Sequence, residues 1–397
     1  MMLGQDEWRA GAVCWLVVLT LLLVVPPLAV RATRLDATVA GAAVLGFMSW
    51  ADPALTAVVA VPLVAGALVN RRVAAARIAG MFAVGELLDR VGAGTAQLGF
   101  VDRSERVRHD HLATVDRFHD VFSAHTRRVS TAMALAEIVF SPVTILAVVL
   151  TAGTVLMNSG LMTSGADVLA FLLLGPVIGS CIAALTRHQL TDVSPQFTTE
   201  ARASIRATMG RLRSVINPGS ARKAVIAAIV TAMLQGVSLV LAITVVWSML
   251  DQRRSPWLPL LSLLAVVVAH TLALRWSSGS AQVASTAVLR ELSHRIIDRI
   301  LMAPEASLTA HKDQLPRLAT RDAVTISGLP VHALRPFASA GLTPVAAMLT
   351  MVMIEWQLAI PTLLLSPLVV LVLLRELCRD LQPALAAINR VLDFLAR

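Results

Sequence analysis

The sequence predicts an all-α protein: a polytopic membrane helical bundle of about nine spanning helices, with long helical extensions beyond the bilayer. Three observations predict it. Hydrophobic residues make up 56% of the 397 and charged residues 15%, and mean hydropathy is +0.74, too apolar for a soluble core wrapped in a polar surface. The apolar residues gather into nearly uncharged runs close to the length a helix needs to cross lipid. The charged residues gather between those runs, in stretches where apolar positions recur at helical spacing.

The first run is Ala12 to Val30, preceded by Asp6, Glu7 and Arg9. That flank is net acidic where a secretory signal wants positive charge, so residues 1–36 are expected to form a retained membrane helix. Ala37 to Trp50 and Ala54 to Val69 are short and separated by Ala51, Asp52 and Pro53, which predicts a tight helical hairpin turning at Ser49 to Pro53. Ala132 to Met157, Val168 to Leu185, Ala224 to Leu250, Trp257 to Leu274, Ala338 to Ile354 and Leu358 to Leu374 complete the set.

Connections between the runs alternate between short ones and long, arginine-rich ones. The long stretches are Arg71 to Thr131, Thr186 to Lys223, Arg275 to Phe337 and the tail from Arg375. With the turn Arg31 to Asp36 they hold all of the 34 basic residues except Arg9, Arg253 and Arg254. That bias places them in the cytoplasm of a multi-pass inner-membrane protein, with the N-terminus outside and the C-terminus inside. Topology thus accounts for the net charge of +9, and no aromatic-interleaved basic patch points to a nucleic-acid partner.

Within Arg71 to Thr131 the spacing of Leu87, Leu88, Val91, Leu98, Val115, Phe118 and Phe122 predicts amphipathic helix, broken around Gly92, Gly94 and Gly99. Arg275 to Phe337 has Val288, Leu289, Leu292, Ile296, Ile297 and Ile300 at helical spacing, a break at Pro304, and a second helix over Gln314 to Leu329. An extension of about 25 residues is roughly 37 Å long, far past the headgroups.

These residues resemble a family, the transmembrane domains of ABC exporters, whose membrane helices extend into the cytoplasm and carry short coupling elements. The match is split. From Ala37 to about residue 210, a hairpin, GELLDRVGAGTAQLGFVDRSERVRHDHLATVDRF, a long helix and NSGLMTSGADVLAFLLLGPVI resemble helices three to six of the domain. Residues 211–397 resemble helices one to four, through LRELSHRIIDRILMAPEASL, LPRLATRDAVTISGL and a hairpin with Trp356 and Pro367-Leu368-Val369. Trp50, Pro62-Leu63-Val64 and Arg71 recur at nearly the same spacing as Trp356, Pro367-Leu368-Val369 and Arg375, which favours a duplicated unit.

The resemblance implies a permease that moves a solute by alternating access. It implies coupling to an ATPase through Gln97, Leu98, Gly99, Phe100, Val101 and Asp102, with Arg317 and Asp322 in the second arm. Glu86 would start the arm that carries the first six. The chain has no GxxxxGK[ST], and its two lysines, Lys223 and Lys312, follow no such glycine loop. It is therefore expected to be no enzyme and to bind no cofactor itself, with ATP held on a separate nucleotide-binding partner subunit. Helices one and two of the first copy, and five and six of the second, have no counterpart. Either partner chains in a homo- or hetero-dimer supply them, or the chain is a fused and truncated remnant acting as a membrane scaffold.

Other chemistry is weaker. Cys14, Cys181 and Cys378 show no metal or disulfide spacing. His109, His111, Asp116, His119, Asp120 and His125 crowd one arm, but a solvated helix commonly carries such residues, so no metal is expected. Among polar groups inside the apolar runs, His270 and Gln235 are the candidates for a substrate path, since such groups face a bundle interior.

Overall fold

The computed structural model describes residues 34–100, 105–160, 218–250, 255–304, 314–354 and 381–396, with isolated positions between 168 and 181, at 308, and between 370 and 378. Every regular element among them is helical. Helix α1, Arg34–Ala51, stops at Asp52, and α2, Pro53–Phe100, starts beside it. Asp52 caps α2: its Oδ1 accepts the Leu55 N–H at 2.9 Å, and Pro53 occupies the first helical position, where a missing N–H is harmless.

The break expected around Gly92, Gly94 and Gly99 is absent, because α2 is one helix of 48 residues. Gly92 and Gly94 serve packing instead. A Cβ on Gly92 would meet Thr320 Cγ2 at 3.3 Å, and one on Gly94 would stand 2.3 Å from His111 Nδ1. Helix propensity disfavours glycine by about 1 kcal/mol, too little to break a helix held from both sides.

The single run expected over Ala132 to Met157 is divided. Helix α3, Glu105–Phe140, ends at Ser141, and α4, Pro142–Asn158, begins with its proline at the start. Gly160, at φ +71, takes the left-handed conformation that closes α4.

Helix α5, Pro218–Leu250, and α6, Trp257–Met302, form a packed antiparallel pair. Trp257 and Trp276 are each about half exposed, and at 1.5 Å per residue they stand roughly 28 Å apart along α6, close to the thickness of a hydrocarbon core. The rest of α6 is arm, which stops as expected before Pro304.

The second arm helix expected over Gln314 to Leu329 is instead a series of short pieces: α7, Leu315–Arg317; a π-helical turn, Leu318–Asp322; α8, Ala323–Ser327; and α9, Leu329–His332. Helix α10, Leu334–Ile354, then runs back through the apolar half, and α11, Gln382–Ala396, lies against α8 and the π turn.

Four helical stretches are long and apolar enough to cross a membrane: Pro53–Val73, Arg222–Met249, Trp257–Met302 and Leu315–Met353. Thr38–Ala51 and Val143–Asn158 are shorter apolar helices. Ala12 to Val30 and most of Val168 to Leu185 and of Leu358 to Leu374 lie outside the described residues, as does the second member of the Trp–Pro-Leu-Val repeat.

The described residues form two main cores. In the apolar half, Leu55, Val59 and Leu63 of α2, Val149 and Leu150 of α4, Val245 of α5 and Leu260 and Leu263 of α6 are buried together. The arms have their own core, built from Val91 of α2, Val115 and Phe118 of α3, Leu292, Ile296 and Ile300 of α6, Leu318 and Ile326, and Leu385, Ile388 and Val391 of α11. Each such aliphatic contributes about 1.5–3 kcal/mol on burial, so the arms are held by their own apolar contacts. The register of α3 on α6 is antiparallel: Arg108 meets Asp298 at 3.8 Å, and Asp116 meets Arg290 at 3.2 Å.

Candidate functional site

Polar groups from four helices meet where the apolar half joins the arms. Helix α6 packs against α3 and α5, and α5 packs against α10. The close approach of α5 and α10 needs Gly236, since a Cβ there would lie 2.6 Å from the Thr343 carbonyl oxygen and 2.7 Å from Ala346 Cβ. Each helix of this row contributes one group: Glu137 from α3, His270 from α6, Gln235 from α5 and Arg335 from α10.

Arg335 donates through Nη1 to Glu137 Oε2, an ion pair between half-buried side chains. One turn further along α10 the Ser339 hydroxyl donates to Gln235 Oε1 at 3.3 Å, and beyond it the Thr343 hydroxyl donates to the Ala232 carbonyl at 3.2 Å. Arg335, Ser339 and Thr343 recur every four residues, so they share one face of α10. His270 is 3% exposed and its Nδ1 has no hydrogen-bond partner among the described residues. Gln235 and His270, both expected on a substrate path, therefore lie in one row of helices with an ion pair at its edge.

The residues expected to couple to an ATPase are spread more widely. Gln97 is exposed near the end of α2. Leu98, Gly99 and Phe100 are the last residues of that helix, whereas Val101 and Asp102 lie outside the described residues. Arg317 keeps 42% of its side chain exposed, 3.7 Å from Asp322. Asp322 itself lies inside the arm core rather than on its surface. Its carboxylate is 2% exposed and is held by Arg390 of α11, with Nε on Oδ2 and Nη2 on Oδ1, both at 2.9 Å. A carboxylate so deep needs this bidentate partner, because an unpaired charge there would be prohibitive.

Of the histidines in the α3 arm, His111 and His119 are packed in its interior, whereas His109 is exposed. His111 is buried, with Nε2 3.3 Å from the Thr95 hydroxyl, and burial lowers its pKa. His119 is 7% exposed with neither ring nitrogen partnered among the described residues, and its pKa is lowered to about 4 by burial first, then by His294 and Arg290. No group of three or more metal-ligating side chains occurs among the described residues.

Sequence reasoning singled out neither Arg335 nor Arg390. Arg335 heads an apolar helix, where an arginine reads as an anchor reaching for headgroups. The amphipathic spacing of Leu385, Ile388, Val391 and Leu392 marks a helix, but nothing in it names Asp322 as the partner of Arg390. Compared with known proteins, the chain matches no family model and no curated protein.

Proposed function

We propose that the chain is the membrane-spanning permease component of an ABC-type transporter, moving a solute by alternating access while a separate nucleotide-binding subunit hydrolyses ATP. In this reading it is a multi-pass inner-membrane protein of about nine spans with its arms in the cytoplasm, built from two partial copies of one domain over 37–210 and 211–397. The observation that carries the reading is the arm core: α2, α3 and α6 run on past the apolar half and are locked there by α7 to α9 and α11. A lever needs such stiffness, because a pull at its tip reaches the membrane only if the arm does not bend. The row of Glu137, His270, Gln235 and Arg335 supplies polar groups for a path at the lever's other end.

The test is a mild-detergent purification of the full chain from its native membrane, followed by reconstitution. A nucleotide-binding subunit is expected to copurify, and ATP-dependent transport is expected in vesicles holding both. Recovery of the chain with no such subunit and no transport overturns the reading.

A further inference from the structure

We infer that the exposed arginines where the spans meet the arms form a binding surface for anionic phospholipids, in which each arginine takes a headgroup phosphate and an exposed aliphatic one turn away takes the acyl chain. The pairing recurs on three helices. On α2 Leu68 precedes Arg72 by four residues, on α6 Leu272 precedes Arg275 by three, and on α5 Ile226 follows Arg222 by four. Residues three or four apart are neighbours on one face of a helix, so each cation stands beside its aliphatic. All six residues are exposed, Leu68 by 58%, Leu272 by 63% and Ile226 by 43%.

The order within each pair follows the membrane rather than the chain. Helices α2 and α6 run from the apolar half toward the arms and α5 runs the other way, yet the aliphatic lies on the apolar side each time. The span Pro53–Val73 closes on Arg72, and Arg222–Met249 opens on Arg222. Trp276, next to Arg275, is about half exposed, and an exposed indole suits the headgroup level. Contacts between helices relate the heights of the cations. Gly66 packs on Phe140 and Gly94 on His111 across α2 and α3, and Asp116 meets Arg290 across α3 and α6, so Arg72 and Arg275 stand within about one turn of each other. Arg222 lies about two to three turns nearer the arm tips, since Ala224 is buried with Ala281 and Ala284, and Val225, Ile226 and Ile229 carry the exposed apolar surface of α5 equally far.

Neighbouring charge favours an anion from outside. Residues 53–85 of α2, 121–136 of α3, 257–290 of α6 and the whole of α5 and α10 contain no Asp or Glu, and Glu137, next along α3, is held by Arg335. A basic surface just beyond a span attracts acidic headgroups. A free phosphate would leave the aliphatics unused, whereas a lipid engages both halves of each pair.

The inference needs the chain to lie in a membrane but not to transport, so it stands or falls apart from the permease reading. In the test, the full chain purified in mild detergent is incubated with phosphatidylglycerol and phosphatidylcholine of identical acyl chains in equal amounts, separated by gel filtration, and its retained lipid is quantified by mass spectrometry. Preferential retention of phosphatidylglycerol is expected, weakening as ionic strength is raised. Arg72→Gln, Arg222→Gln and Arg275→Gln together are expected to lower the preference about fivefold for each charge removed, and lysine at the same three positions is expected to keep it. Equal retention of the two lipids by the unaltered chain overturns the inference, as does a glutamine variant with its preference unchanged. Should that variant fail to fold, a preference of the unaltered chain that is independent of salt overturns it too. Inorganic phosphate and glycerol phosphate, added in parallel at the concentration of the lipid, are expected to displace none of it; displacement by either would mark a site for free anions and overturn the lipid assignment.

Discussion

Arg390 holds both oxygens of Asp322 at 2.9 Å, so the C-terminal helix is fastened to a π turn by a forked ion pair in which the carboxylate is almost fully enclosed. The bond lies inside an apolar core to which α11 contributes Leu385, Ile388 and Val391. The charge pair sets where the helix docks, and the apolar contacts supply most of the affinity.

Removing one partner is therefore worse than removing both. Arg390→Ala leaves the Asp322 carboxylate buried with only Arg317 at 3.7 Å, and is expected to destabilise the arms by about 3–5 kcal/mol. Arg390→Met combined with Asp322→Leu is expected to recover most of that loss. Thermal unfolding of the purified chain in detergent, followed by helical circular dichroism, checks both.

Two glycines are expected to respond differently to a methyl group. At Gly236 the new Cβ would press on the backbone of α10, at 2.6 Å from the Thr343 oxygen and 2.9 Å from the Ala347 nitrogen, which moves only if the helices part. At Gly94 it would meet the His111 ring at 2.3 Å, a side chain that is able to turn aside. Gly94→Ala is expected to cost about 1–3 kcal/mol and to be relieved by adding His111→Ala, whereas Gly236→Ala costs more and has no such remedy. Melting temperatures of the four proteins decide it.

His119 makes the arms sensitive to acid. Its folded pKa, about 4, lies below the ordinary 6.5, so the unfolded chain binds the proton more readily. Stability from this residue is thus complete above about pH 6.5 and is lost as pH falls toward 4, by an amount on the order of 3 kcal/mol. His294, Arg290, Asp116 and Asp120 act on the same ring, and their own charges belong in the comparison. His119→Leu is expected to flatten the profile between pH 6.5 and 4 in hydrogen exchange of the α3 arm, and an unchanged slope would count against burial as the cause.

The ion pairs between α3 and α6 are expected to contribute little beside the core they flank. Arg290 and Asp116 keep 63% and 46% of their side chains exposed, so Arg290→Ala should change stability by less than about 1 kcal/mol. Ile296, fully buried between the arms, should cost about 2–5 kcal/mol as Ile296→Ala. Parallel thermal melts at low and high salt separate the two, since only the first effect is screened.

Local pattern made the helices legible. Trp257 to Leu274 is uncharged and apolar enough to have one reading, and Leu292, Ile296 and Ile300 repeat at a spacing that only a helix turns to one side. Pro304 ends that helix in the chain as it does in the sequence, because a proline removes its own N–H whatever surrounds it. Gly92 and Gly94 misled for the opposite reason: their local preference is worth about 1 kcal/mol, and neighbours distant in sequence outweigh it.

By itself the sequence determined the all-helical class and the apolar stretches, since each follows from how a short segment meets lipid or water. Tertiary structure alone decided which charges are paired. Asp322, expected as a coupling residue of the second arm, is instead enclosed against Arg390, and Glu137 is joined to Arg335 of a helix far along the chain. An ion pair depends on the distance between two side chains, and for residues 68 and 198 positions apart that distance is set by packing alone.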